Sequence, residues 1–190
     1  MIPYQKQKID NAICFFASEY KYKTDKYLYS TYLYKLLAFL DFESIKENGR
    51  PALGLTYLAM ERGPVPIEIY NERKNLKTEC YEFKPTDKEY KKFLVVPKGE
   101  PNTDYFSDYE IEEMYRLIEI YADRYVKTNE ISEASHESIL AWKRAFKRKP
   151  NSVIDYKEEF PGDILKRQKD KIKFPEEALL NYLALTKINK

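Results

Sequence analysis

The sequence predicts a mainly α-helical protein of the α+β class: a compact helical domain built on one central apolar helix, with a small β-hairpin or short sheet beside it. Two observations carry this reading. Between Leu33 and Phe42 the chain is apolar around most of a helical circumference, as in a helix packed on several sides. Elsewhere apolar residues recur at helical spacing, interrupted by short β-compatible runs at Leu55–Met60, Tyr81–Pro85 and Tyr90–Val96. A chain of 190 residues suits one domain with a sizeable core.

The elements follow in order. Ile9, Ile13, Phe16 and Tyr20 form one stripe and predict a first helix over about Tyr4 to Glu19, with Cys14 off the centre of that stripe. Tyr20 to Tyr27 alternates polar residues and reads as a connection. The central helix then runs from about Thr31 to Glu47, capped by Ser30 or Thr31, and Asn48-Gly49 followed by Pro51 stops it. Leu55 to Met60 reads as a strand or extended segment. Pro64 and Pro66 bias the residues before them toward extended backbone, so Gly63 to Pro66 is a pre-set junction into a helix over about Ile67 to Lys77.

The Tyr81–Pro85 and Tyr90–Val96 runs are expected to pair around Thr86-Asp87-Lys88. A capped helix begins near Ser107 or Asp108, with Ile111, Met114, Tyr115 and Ile118 on its apolar face. A short helix over Asn129 to Ser135, capped by Thr128, precedes one from Glu137 to Arg148 bearing Ile139, Trp142 and Phe146, which Pro150 ends. The expected organisation is one domain over residues 1–165, followed by a basic segment and a helix starting at Pro175, residues 166–190, docked on the same body through Leu179, Leu180 and Leu183.

Charge excludes several function classes. The 33 basic residues nearly balance the 31 acidic ones, so no overall field draws the chain to nucleic acid. Met1 is followed by no apolar signal core, and no stretch approaches the ~18 apolar residues of a membrane span, so the cytoplasm is the expected address. Cys14 and Cys80 stand far apart without Cys-x-x-Cys spacing, and free thiols are expected. With a single histidine, the ligand count argues against a zinc site, and no glycine pattern cradles a phosphate, so no metal or cofactor is implied.

His136 is the candidate for acid-base work, since histidine alone titrates near neutrality unperturbed. No nucleophile elbow or catalytic-cysteine signature accompanies it, and a structural, hydrogen-bonded histidine is the expectation. Asp41, inside the most apolar helix, needs a partner; Arg50 or Arg62 could supply the charge, with water access as the alternative. Asp108, Glu110, Glu112 and Glu113 complement a helix dipole. Lys143, Arg144, Lys147, Arg148 and Lys149 read as solvated helix surface, with a nucleic-acid backbone or an acidic protein as the competing partner.

The segment Tyr34-Lys-Leu-Leu-Ala-Phe-Leu-Asp-Phe-Glu43, the turn Gly49-Arg50-Pro51 and the run Gly54-Leu-Thr-Tyr-Leu-Ala-Met-Glu-Arg-Gly-Pro-Val-Pro66 together resemble the Panacea domain of SocA-like antitoxins. Ser135-His136-Glu137 and Ala141-Trp142-Lys143 resemble that family's second patch, so the resemblance spans about residues 5 to 165. It implies a protein without catalytic activity that neutralises a cognate toxin, encoded nearby, by direct contact, or that delivers it to a protease as an adapter. A phage or mobile-element protein using the same scaffold for another protein partner, and a nucleic-acid-binding regulator, are the alternatives. Asp41, Gly49, Arg50, Gly54, His136 and Trp142 are then structural positions of the family pattern. The candidate partner-binding surface is Arg62, Gly63, Pro64 and Pro66 with Tyr57 and Tyr70 as aromatic anchors, core packing being the competing role of the two tyrosines.

Overall fold

A computed structural model describes residues 2–86, 92–122, 128–162, 164–166 and 168–188. Helix α2 (Ser30–Asn48) is the axis of the molecule, with α1 (Gln5–Thr24), α4 (Asp108–Tyr121), α5 (Thr128–Ser138) and α7 (Phe174–Ile188) packed around it. Fourteen of its residues are buried, including the run from Tyr32 to Phe42, which explains an apolar pattern with no polar face. Gly49 ends it in the left-handed conformation, its N–H bonded to the Ile45 carbonyl.

Strands β1 (Leu28–Tyr29), β4 (Tyr81–Pro85) and β5 (Phe93–Pro97) form an antiparallel sheet in the order β1-β5-β4, with Phe83 and Leu28 both opposite Val95. The expected hairpin pairing is present, and its turn falls at residues 87–91, outside the described residues. A second ribbon, β2 (Tyr57–Met60) with β3 (Gly63–Pro66), replaces the expected strand-to-helix junction. Pairing of Met60 with Gly63 leaves a two-residue turn at Glu61-Arg62, and Gly63 adopts φ 102° to close it. The far edge of β2 bonds to residues 151–154 through Ala59 N–H to the Ser152 carbonyl and Ile154 N–H to the Tyr57 carbonyl. Pro64 and Pro66 therefore lie on the outer strand, where a missing N–H costs no ladder bond.

Several boundaries differ from expectation. Helix α1 continues to Thr24 because Tyr20 packs on Tyr32, Lys21 pairs with Asp25 and Lys23 pairs with Glu119 of α4. Helix α3 (Ile67–Glu72) stops earlier than predicted, in a turn where Asn75 and Leu76 donate to the Glu72 carbonyl. Helix α6 (Leu140–Arg148) begins after a break at Ile139, its Ala141 N–H capped by the Glu159 carboxylate. Ser107 and Glu110 form a reciprocal capping box at the start of α4.

The cysteines correct the expectation of free thiols. A disulfide joins Cys14 on α1 to Cys80 at the start of the sheet, with Cα atoms 5.8 Å apart. The packing of α1 against β4 and β5 creates this proximity, which linear spacing cannot reveal. At the other end, α7 closes on Gly49: a Cβ there would stand 2.2 Å from the Pro175 carbonyl oxygen and 2.5 Å from Ala178 Cβ. Leu179 of α7 is fully buried.

Candidate functional site

Two constellations organise the β2–β3 ribbon. In the first, Asp41 of α2 is completely buried and receives the backbone N–H groups of Leu53 at 2.6 Å, Gly54 at 3.1 Å and Leu55 at 3.2 Å. The Tyr57 hydroxyl lies 3.0 Å from Asp41 Oδ2 and from the Leu37 carbonyl, and the Tyr156 hydroxyl is shared between the same carboxylate and the Leu55 carbonyl. Among the described residues neither Arg50 nor Arg62, the two candidate counter-charges, pairs with Asp41; backbone donors do the work. Burial pushes the Asp41 pKa up to about 6, while the three N–H bonds and the Tyr57 hydroxyl pull it back. Tyr57 itself is driven well above its ordinary value, by burial first and by the Asp41 charge second.

The second constellation surrounds Gly63. A side chain at this position would meet Ser135 Oγ at 2.6 Å and Lys35 Cε at 2.9 Å, so helices α2 and α5 close directly on the ribbon. Lys35 is 2% exposed and donates to the Pro64 carbonyl at 3.4 Å. Burial, then the Arg62 charge, lowers its pKa to about 7. His136 lies flat on Trp142, ring centroids 3.9 Å apart and planes within 1°, and Trp142 stacks in turn on Phe146 at 5.0 Å. The Trp142 indole N–H holds the Met60 carbonyl at 3.1 Å, fastening the stack to the ribbon.

His136 departs from expectation in one respect. Its ring is held by stacking, and its Nε2 is one of three buried side-chain polar atoms without a hydrogen bond among the described residues. Burial, then the Lys35 charge, lowers its pKa. The Ser135 hydroxyl donates to the Ser132 carbonyl at 2.7 Å, which directs it along its own helix.

The structure thus gathers Asp41, Gly54 and Tyr57 in one hub, and Gly63, Pro64, His136 and Trp142 in an adjoining corner. Arg50 and Gly49 lie apart, Arg50 on a groove of about 430 Å³ shared with Tyr4, Lys8, Tyr105 and Tyr182. Of the candidate contact residues, Tyr57, Gly63, Pro64 and Pro66 are buried, and Tyr70 is half-buried between Tyr34 and the Arg73 guanidinium, which stands 3.7 Å from its ring centre. These positions shape the ribbon from within; Arg62 at its tip is the exposed one. Tyr57 is a core residue, the competing role weighed for it beside surface contact.

Sequence reasoning missed Lys35, Tyr156 and Glu159. Glu159, raised to about 7 chiefly by burial, caps α6 and so fixes the helix that carries Trp142. An isolated lysine in a run of apolar residues was the available signal for Lys35.

The profile of the family described as antitoxin SocA-like, Panacea domain, matches residues 33–143, from the start of the central helix to the second turn of α6. The chain belongs to the SocA-like antitoxin family. The matched span holds Asp41, Gly54, Tyr57, Lys35, Gly63, His136 and Trp142, while Phe146 and Tyr156 complete the two constellations from beyond it. Helix α7 lies beyond the matched span and packs on the domain's Gly49. Comparison with curated proteins and with solved structures gives no match. Among the described residues, no group of three His, Cys, Asp or Glu side chains is placed to hold a metal, and no helix is long and apolar enough to cross a membrane.

Proposed function

We propose that this chain is an antitoxin that neutralises a cognate toxin, encoded beside it and met in the cytoplasm, by binding it directly. The observation that carries the reading is the Panacea-domain match across residues 33–143. The geometry supports binding over catalysis: Ser135 Oγ points at a backbone carbonyl instead of at His136, and Asp41 is sealed beneath the loop it supports. The ribbon is held on one side by Trp142 and on the other by Lys35, which favours a pre-ordered contact surface and a small entropy loss on association.

Nucleic-acid binding is less well supported. Lys143 donates to the Glu137 carbonyl, Arg144 donates to the Glu158 and Phe160 carbonyls, and Arg148 pairs with Glu158, so three of the five residues Lys143, Arg144, Lys147, Arg148 and Lys149 are engaged within the protein. Two modes of neutralisation remain natural for a binder of this kind, occlusion of the toxin and its presentation to a protease.

The test is co-expression of the adjacent reading frame with this chain. The neighbouring product should arrest growth alone, and co-expression should restore it with formation of a complex that survives purification. A toxin level that stays constant during rescue indicates occlusion, and a falling level indicates delivery to a protease. A harmless neighbour, or rescue with neither complex nor toxin loss, overturns the reading.

A further inference from the structure

The three-stranded sheet has one face in the core and one in water. Its register sets Leu28, Val95 and Phe83 side by side, and all three are buried. Successive side chains of a strand point to opposite faces, so the next rung, Tyr29, Leu94 and Lys84, looks outward. Tyr29 is 46% exposed, and the Lys84 side chain 58%, with Leu94 half-buried between them. Tyr27, two residues before Tyr29, shares its outward phase. It is 43% exposed, with Lys21 Nζ 5.1 Å from its ring centre. Two large rings thus stand in water on one edge of the sheet, their Cα atoms about 7 Å apart along the chain.

Lysines border these rings. Along β5 the outward positions are Leu94 and Val96, with the exposed Lys92 and Lys98 just beyond its two ends. On β4, Glu82 pairs with Lys84 at 2.7 Å and stands 4.0 Å from Lys77 Nζ. The hydrogen bond from Lys84 first, then the charges of Lys84, Lys77 and Lys98, hold its carboxyl below the usual carboxylate range. One carboxylate therefore faces three ammonium groups, and this face is locally cationic although the whole chain carries a net charge of only +2. The Lys84 pKa is raised by Glu82 first and by the Tyr27 phenol last, which places Tyr27 within electrostatic reach of β4. The α6 cluster differs, because protein acceptors engage three of its five cations.

We propose that the outer face of this sheet binds single-stranded nucleic acid, with bases stacked on Tyr27 and Tyr29 and the backbone phosphates running over Lys84, Lys92 and Lys98. Aromatic side chains on an exposed sheet face are a recurring platform for splayed bases, and every base has a π-face to offer them. Lysine serves a phosphate as a point charge. An acidic protein segment would use the lysines and leave both rings idle. A duplex keeps its bases stacked on one another and has none to give. Tyr27 and Tyr29 precede the span matched by the family profile, so this activity goes beyond the antitoxin reading and does not depend on it.

The test is fluorescence anisotropy with fluorescein-labelled oligothymidylate and oligouridylate, each about twelve nucleotides long, titrated at several salt concentrations. A DNA duplex of the same length and polyglutamate are the competitors. Saturable binding of either strand is expected, and a preference for oligouridylate identifies a contact to the 2′-hydroxyl. Tyr29→Ser should weaken binding about tenfold, while Tyr29→Phe, which keeps the ring, retains it. Tyr27→Ser makes the same measurement should Tyr29→Ser lower the melting temperature. Lys84→Gln with Lys92→Gln should flatten the slope of log affinity against log salt by about 0.7 for each lysine. Lys147→Gln with Lys149→Gln on α6 should leave binding unchanged. The platform is overturned by no saturable binding of either strand, by equal affinity for the duplex, or by displacement with polyglutamate at equal charge. Full binding by both serine variants, or a loss in the α6 variant as large as in the sheet variant, overturns it too. The assay contains no toxin, so its failure leaves the antitoxin reading standing, and failure of growth rescue leaves the assay's result intact.

Discussion

At the scale of single residues, Asp41 is the most constrained side chain. Replacing it with alanine strands three backbone N–H groups and leaves the Tyr57 and Tyr156 hydroxyls only the Leu37 and Leu55 carbonyls as acceptors. Each buried donor left without a partner costs about 1 to 3 kcal/mol, so Asp41→Ala should lower stability by on the order of 4 kcal/mol in chemical denaturation. That Asp41 needed partners was legible from its apolar surroundings. Their identity was not, because backbone N–H groups are offered by every residue and carry no sequence signature. Lys35 yields a prediction with a definite sign. Its pKa falls from 10.5 to about 7 on folding, so between those values the unfolded chain holds more protons than the native one. Its contribution to stability therefore rises as pH climbs from about 7 toward 10.5. Lys35→Met should flatten that part of the stability-against-pH curve; an unchanged slope would show that the amine stays solvated.

At the scale of elements, the glycine after α2 serves two purposes. Its stop signal was legible in Asn48-Gly49, and the φ of 69° agrees. Its second purpose, giving α7 room, depends on a helix some 130 residues onward and leaves no local trace. Gly49→Ala combines left-handed strain with a clash against Pro175 and Ala178. It should loosen α7, seen as faster amide exchange across residues 176–186 while α2 stays protected; equal protection in both helices would show that α7 accommodates the methyl group. The β2–β3 ribbon teaches a related lesson. Two prolines marked a rigid extended segment, but pairing of Tyr57–Met60 with Gly63–Pro66 depends on residues 151–154 supplying the other edge. Arg62 is exposed at the ribbon tip, and His136 and Trp142 were legible as neighbours because both sit in a recognisable patch; Lys35, which links the patches, looked like an imperfection in an apolar helix.

At the scale of the whole molecule, the mainly helical class followed from periodicity, whereas the covalent link between Cys14 and Cys80 followed from packing alone. A closed loop of this length restricts the unfolded chain by about 4 kcal/mol in the chain-entropy treatment. Cys14→Ser should therefore lower the stability of the oxidised protein by roughly that amount, and reductant should lower the wild type equally while leaving the variant unchanged. The same link gives the polypeptide an unusual outline once unfolded. Residues 14–80 become a covalent lasso holding the central helix and the ribbon, with a tail on either side. A motor that drags one end through a narrow pore reaches the knot of the lasso and must admit two strands abreast or stall. Reduced, the chain passes in single file. In an ATP-driven degradation assay the oxidised form should accordingly persist longer than the reduced form, and equal half-lives would mean that the pore takes both strands at once.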